Sequence, residues 1–199
     1  AKPLFKGHYQ PKVPADLGYY DLRVPETRRE QAELARQYGI EGFCYWHYWF
    51  GNGRQLLQRP FQEVLASGEP DFPFCLAWAN HSWEDKQFNK EGGNKMLMEQ
   101  LYPGDEDYIA HFNAVLPAFK DPRYIRVNGE PLFMIYAPMK VPDIAHFIEL
   151  WQKLAEPHGF RIHFVGHTSK TEELPLFRQW GFNATNLVRL FDVFQKNYS

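Results

Sequence analysis

Apolar and polar positions along this chain switch repeatedly between a helical and a strand period. Residues 26–38 are rich in Ala, Leu, Glu, Arg and Gln, all good helix formers. Pro25 stands where a first helical turn does not need its missing N–H, and Gly39 supplies a stop. The aromatic run Gly42-Phe43-Cys44-Tyr45-Trp46-His47-Tyr48-Trp49-Phe50 follows and reads as a strand over 42–48. A second unit has the same layout. Residues 55–66 set Leu56, Leu57, Phe61, Val64 and Leu65 on one helical face, with Gly68 past the end, and 72–79 is a short apolar strand. A polar loop is expected over 80–94. The next helix, 105–119, has Tyr108, Phe112, Val115, Leu116 and Phe119 in its apolar stripe. Asp105, Glu106 and Asp107 sit at its positive end, where the helix dipole favours acids. Asn128-Gly129 between the apolar runs 124–127 and 132–136 predicts a hairpin. Ile144, Phe147, Ile148, Trp151, Leu154 and Ala155 follow the i, i+3, i+4 rule, and Gly159 ends that helix. A strand over 161–166, a helix over 172–180 and a last strand over 182–188 complete the pattern.

Helix and strand thus alternate about five times, which implies a parallel sheet covered by helices. A (β/α) barrel and an open doubly wound sheet both satisfy that order. The chain has no Gly-x-Gly-x-x-Gly turn and no Gly-x-x-x-x-Gly-Lys loop, so a nucleotide-binding open sheet has less support. A barrel needs eight units and typically about 250 residues, against 199 residues here. About five strands and a hairpin strand are visible in the pattern, fewer than a full barrel needs, and both architectures stay open on the pattern alone. Residues 1–199 form one domain in this reading.

Composition narrows the partners. Apolar residues make up 44% and charged residues 23%, as in an ordinary globular protein. A net charge of −2 without a basic tract argues against nucleic acid or an anionic membrane as the main partner. No apolar run reaches the roughly 18 residues of a membrane span. The N-terminal segment has no signal-peptide core and no start Met, which suggests a processed, trimmed or excised chain. Cys44 and Cys75 lie in apolar runs without a Cys-x-x-Cys spacing. They read as two buried free thiols of a reducing cytosol, hence a cytoplasmic location, with a disulfide or metal pair as the alternative. His163 and His167 sit four apart on an expected strand, roughly 13 Å from each other, so no metal site is expected, and no cofactor. Ser82 and Ser169 have no nucleophile-elbow context.

The unusual feature is aromatic content, 17% of the chain. Functional groups of such sheets gather at the C-terminal strand ends. Those ends read Tyr45, His47, Tyr48 and Trp49, then Trp78, Asn80, His81 and Trp83, then Tyr136, His167 and Asn186. Flat rings with polar tips suit sugars. The candidate substrate-binding set is Tyr45, His47, Trp49, Trp78, Asn80, His81, Trp83 and Tyr136. Because strand side chains alternate in direction, only half of 43–49 faces one site. Tyr45, His47 and Trp49 are favoured together, since His47 most needs a wet or paired setting. Tyr45 or Trp49 is expected to line one pocket with Asn80, Trp83 and Tyr136. Glycosidic chemistry usually takes two carboxylates across the bond. Glu41 is at the wrong end of its strand, and Glu84 and Asp85 are the remaining candidates, so the catalytic residues stay unassigned.

Several segments carry a family resemblance. Residues 1–11 (Ala1-Lys2-Pro3-Leu4-Phe5-Lys6-Gly7-His8-Tyr9-Gln10-Pro11), Asp16-Leu17-Gly18-Tyr19-Tyr20-Asp21-Leu22-Arg23, the aromatic run from Gly42 to Phe50, Asp71-Phe72-Pro73-Phe74-Cys75 and Phe119-Lys120-Asp121-Pro122-Arg123-Tyr124 resemble the WbsX-type proteins of bacterial surface-polysaccharide loci. Those are similar in turn to glycoside hydrolase family 99, the endo-α-mannosidases. The resemblance covers residues 1 to about 150 and is weak after about 160. It implies an α/β fold of the (β/α)8 TIM-barrel type, incomplete in this chain with the first strand and the last units missing, that acts on a carbohydrate or sugar-nucleotide substrate. The implied role is lipopolysaccharide O-antigen biosynthesis, by glycosyl transfer or glycosidic hydrolysis on mannose-like glycans. The family pattern Trp-Ala-Asn-Glu-Asn-Trp appears here as Trp78-Ala79-Asn80-His81-Ser82-Trp83, with His81 in place of the acid. The late Trp-Asn-Glu-Trp-x-Glu segment, which carries the hydrolases' carboxylates, has no counterpart in this sequence. The alternative is therefore a catalytically incomplete sugar-binding or degenerate module. A third reading is an interaction module that associates through incomplete barrel surfaces.

Overall fold

The computed structural model describes residues 4–9, 14–85 and 94–188. Helix α1 (Pro25–Gln37) leads into β1 (Phe43–Trp49). The short β2 (Gln55–Leu56) folds back on β1, and α2 (Arg59–Ser67) crosses to β3 (Phe74–Trp78). A ribbon of β4 (Trp83–Asp85) and β5 (Lys95–Met98) precedes α3 (Asp105–Phe119), which crosses to the hairpin β6 (Arg126–Val127) and β7 (Glu130–Ile135). α4 (Ile144–Ala155) then leads to β8 (His163–Thr168), and α5 (Leu174–Gln179) to β9 (Ala184–Leu187).

The strand order across the sheet is β2-β1-β3-β7-β8-β9, and every contact from β1 through β9 is parallel. The parallel strands therefore follow each other in space as they do in sequence. A doubly wound sheet reverses direction at a switch point; this one does not. The observed architecture is a singly wound α/β sheet, consistent with the (β/α)8 type.

In-register parallel neighbours point to the same side, so the sheet has two distinct faces. One carries Phe43, Tyr45, His47 and Trp49 of β1, Phe74, Leu76 and Trp78 of β3, Phe133 and Ile135 of β7, and Phe164 and Gly166 of β8. All five helices pack on that face. Ala32 and Ala35 of α1 join Phe43 and Phe72, and Phe61 of α2 meets Tyr45 and Phe74. Trp151 of α4 lies 4.9 Å from the Phe133 ring and Phe147 stacks on Trp78 at 5.3 Å. At Gly166 the approach of α5 is so close that a Cβ would lie 2.6 Å from Phe177 Cδ2, which is why no side chain stands there. The other face carries Cys44, Trp46, Tyr48, Cys75, Ala77, Leu132, Met134, His163, Val165, His167, Ala184 and Asn186.

Three local expectations are corrected. The helix expected over 55–66 begins at Arg59. Gly51, Asn52 and Gly53 all take positive φ, turning the chain so that Leu56 and Gln55 pair with Tyr48 and Trp49. Leu57, expected on the buried helix face, is 69% exposed. The segment expected as a loop over 80–94 contains strand β4, with Glu84 opposite Met96 and Asp85 opposite Lys95, and its residues 86–93 lie outside the described residues. Cys44 is exposed while Cys75 is buried, which removes the pair of buried thiols on which the cytoplasmic expectation rested. That assignment is withdrawn. Among the described residues no helix is long and apolar enough to cross a membrane, a statement about spanning helices alone.

Candidate functional site

The eight candidate residues do not share one face. Tyr45, His47 and Trp49 lie together, as alternation requires, but they point at the helices. His47 is buried and its Nε2 lies 2.9 Å from His111 Nε2 of α3. Trp49 stacks on His111 at 4.8 Å and donates its indole N–H to Asp107 Oδ2 at 3.0 Å. Asp107 also accepts from the Gly53 N–H at 3.3 Å, so this acid fastens the turn after β1 to the start of α3. Trp78 is buried and donates Nε1–H to the Trp49 carbonyl at 2.9 Å. Burial lowers the pKa of both imidazoles, His47 to about 4 and His111 well below the ordinary value, because neither cation would have water around it.

Asn80 is buried just past β3, and its amide is spent on backbone. Its Oδ1 accepts from Ala137 N–H at 2.7 Å, and its Nδ2 donates to the Ala137 carbonyl at 2.8 Å and to Tyr102 Oη at 3.1 Å. It clamps the end of β3 to the segment after β7. The expected pocket of Tyr45 or Trp49 with Asn80, Trp83 and Tyr136 is therefore divided by the sheet.

The opposite face gathers the other candidates. Trp46, 51% exposed, meets the Tyr136 ring edge-on at 5.4 Å. His81 packs 5.3 Å from Tyr136 on a second side, and His167 stacks on Tyr136 at 4.8 Å and 21°. Asn186 of β9 lies 3.2 Å from His167 Nδ1 through its amide nitrogen and also reaches Met134 Sδ at 3.9 Å. An amide donor at Nδ1 holds that nitrogen as the acceptor, so His167 is neutral with its hydrogen on Nε2; partial burial lowers its pKa in the same sense. Tyr48 extends the surface toward Trp83, whose ring lies 5.1 Å away. Trp46, Tyr48, His81, Trp83, Tyr136, His167 and Asn186 thus form an aromatic surface with amide and imidazole groups at the C-terminal ends of the strands. His81, Trp83 and Tyr136 come from the original set. Trp46 was passed over in the choice of strand parity. Its signal was present: a half-buried strand exposes the residues of one parity, and His47 satisfied by a partner removes the reason for preferring the other.

His111 and Asp107 were also missed as polar members of the buried helix face. Both stand on the apolar stripe of α3, four residues apart beside Tyr108 and Phe112. Charged or polar groups at such positions signal partners inside the fold.

The acids are engaged elsewhere. Glu84 accepts from Asn94 Nδ2 at 3.0 Å on an exposed strand. Of the parallel strands, the open face receives a single carboxylate among the described residues, Glu130. It sits at the far, N-terminal end with His163 Nδ1 3.6 Å away. Among the described residues no group of three or more His, Cys, Asp or Glu is placed to hold a metal ion.

A singly wound α/β sheet with this furnishing at its C-terminal edge has the makings of a glycan-related protein. The chain belongs to the glycosyltransferase WbsX family, whose model matches residues 1–197. It is 37% identical over 184 residues to the uncharacterized protein WxcX of Xanthomonas campestris pv. campestris (strain B100), covering 92% of this chain and 26% of that protein. The same values hold for WxcX of strain ATCC 33913. The chain spans about a quarter of the length of these curated relatives. Among solved structures, the GH99 endo-α-mannosidase from Bacteroides thetaiotaomicron superposes with a TM-score of 0.59 at 15% identity, over 93% of this chain and 53% of that one. A glycoside hydrolase-like protein gives 0.54 at 15%, over 80% and 48%. These two likenesses are likenesses of fold.

Proposed function

We propose that the Trp46–Tyr136–His167 surface holds a glycan. The five parallel strands then form part of a (β/α)8 barrel that serves bacterial surface-polysaccharide (O-antigen) assembly, with mannose-like sugars as the substrate class. The observation that carries this reading is the joint placement of three rings from β1, β8 and the end of β7 on one open face. Exposed aromatic rings give a pyranose an apolar surface to lie on, and the His167 imidazole and the His81 and Tyr136 tips give hydroxyls their partners. The family name and the GH99 fold likeness support the same substrate class.

Transfer or hydrolysis of a glycosidic bond is the reaction in this reading, with carboxylates drawn from outside the strand positions of the open face. The rival is a sugar-binding module without chemistry. It is favoured by one specific observation: among the described residues, the single carboxylate that the parallel strands place on the open face, Glu130, lies at the far end of the strands from Tyr136.

Titrating the chain with mannose-type and surface-polysaccharide oligosaccharides, followed by tryptophan fluorescence and calorimetry, tests both. Saturable binding that weakens at least tenfold in Trp46→Ala is the expected result, equivalent to about 1.4 kcal/mol. Product formation in the same samples favours the enzyme, and binding without product favours the module. Absence of binding to every oligosaccharide, or binding indifferent to Trp46→Ala, overturns the glycan reading.

A further inference from the structure

Two thiols stand side by side on the open face. Cys44 of β1 and Cys75 of β3 are direct register partners in a parallel pair, so their side chains leave the sheet on the same side. Neighbouring strands lie about 4.8 Å apart, inside the 4.4–6.8 Å span between Cα atoms that a disulfide accepts. Both cysteines are free in the structure, with Cys44 exposed and Cys75 buried. Cys44 is also among the residues lining a groove of about 390 Å³ at the outer edge of β1, with Phe43, Tyr45, Trp46, Leu57 and Phe61. Among the described residues β1 is paired on its outer side only at Tyr48 and Trp49. Its stretch around Cys44 therefore has no outer neighbour strand among the described residues.

The electrostatics support a division of labour. A hydrogen bond from Cys75 favours the Cys44 thiolate and lowers its pKa. Donating that bond from a buried position raises the pKa of Cys75. The accessible sulfur is thus the one that ionises first, and the thiolate is the attacking form.

We propose that Cys44 and Cys75 are a dithiol modification site, with Cys44 as the nucleophile and Cys75 as the resolving thiol, and with low-molecular-weight disulfides as the class of reagent. Cys44 releases its proton to solvent, and its thiolate attacks one sulfur of the small disulfide. That S–S bond breaks, one small thiol leaves, and Cys44 carries the other half as a mixed disulfide. Cys75 then loses its proton and attacks Cys44 Sγ, expelling the second small thiol. The protein thiols are oxidised to one cross-strand disulfide, and the small disulfide is reduced to two thiols. The product ties β1 to β3 two residues before Trp46, at the start of the open face.

The test treats the reduced full chain with oxidised glutathione and follows intact mass, peptide maps and far-ultraviolet circular dichroism. The expected result is a folded protein lighter by two hydrogens whose map contains a linked Cys44–Cys75 peptide pair. Cys75→Ser is expected to stop at a stable glutathione adduct on Cys44, and Cys44→Ser to react at least tenfold more slowly than wild type. The wild-type map alone decides the matter if either variant fails to fold. An unchanged mass, a lasting glutathione adduct on wild-type Cys44, or a link that appears only in denaturant overturns the proposal.

Discussion

His47 on β1 and His111 on α3 meet Nε2 to Nε2 at 2.9 Å in the interior, their rings stacked at 5.0 Å. One nitrogen must donate and the other accept, so both rings are neutral. His111 Nδ1 has no hydrogen-bond partner. An orphaned acceptor is the better tolerated of the two possibilities, which makes His111 the Nε2–H donor and His47 the acceptor. The pair joins the aromatic strand to the helix beneath it by a directional contact that an apolar pair would lack.

This pairing predicts acid lability. The groups packed around it are Trp49 and Trp78 from the sheet, Phe133 from β7, and Phe147 and Trp151 from α4, with Asp107 held by Trp49. The folded pKa values are lowered, so the unfolded chain takes up protons first as pH falls. The stabilisation is complete above an unfolded pKa of about 6.5 and is lost as pH drops toward the folded value. With His47 at about 4, the loss between pH 7 and pH 5 is roughly 2 kcal/mol from that residue alone. Urea unfolding at the two pH values measures it, and equal midpoints would refute the neutral buried pair.

The two faces of β1 predict opposite phenotypes for neighbouring tryptophans. Trp49→Ala empties a buried site and strands Asp107, and should cost about 3–5 kcal/mol. Trp46→Ala should cost less than about 1 kcal/mol of stability while weakening glycan binding at least tenfold. Denaturant midpoints set beside oligosaccharide titrations separate the effects, and a reversed ranking would show that the faces are misassigned.

Gly166 is expected to tolerate no side chain. Gly166→Ala places a methyl against the Phe177 ring and should destabilise by about 1–3 kcal/mol. Thermal melts of the variant beside the wild-type protein check this. An unshifted midpoint for Gly166→Ala would mean that α5 does not pack on β8 as described.

Asn80 is expected to act on folding more than on binding. Asn80→Ala leaves the Ala137 N–H and carbonyl without their partner and should cost about 1–3 kcal/mol. Glycan affinity, measured where the variant is fully folded, should change less than it does in Trp46→Ala. A variant of unchanged stability that no longer binds would move Asn80 into the binding surface.

The amphipathic helices were the most legible part of the chain. The stripe from Tyr108 to Phe119 and the run from Ile144 to Ala155 predict α3 and α4, although the stretch before Gly159 is a 3-10 turn over Glu156–His158 and not a continuation of α4, and Asn128-Gly129 places the turn of the β6–β7 hairpin. Legibility failed at residues 55–57. There Leu56 and Leu57 match a helical face in spacing, yet the positive-φ turn at Gly51-Asn52-Gly53 draws the chain back along β1 first. Local periodicity does not register a competing pairing with a strand that has already formed.

In the aromatic run, sequence alone determined a strand, its alternation, and the concentration of rings and polar tips at its C-terminal end. These follow from local chemistry, since a period of two and a bounded apolar stretch require nothing beyond the chain itself. Only the tertiary structure decided which parity faces the helices. Both parities of β1 are aromatic, so hydrophobicity does not choose between them. The choice falls to His111 and Asp107, which arrive on α3 more than fifty residues later and satisfy His47 and Trp49 from beneath. That leaves Trp46 and Tyr48 on the open face, beside rings from distant strands.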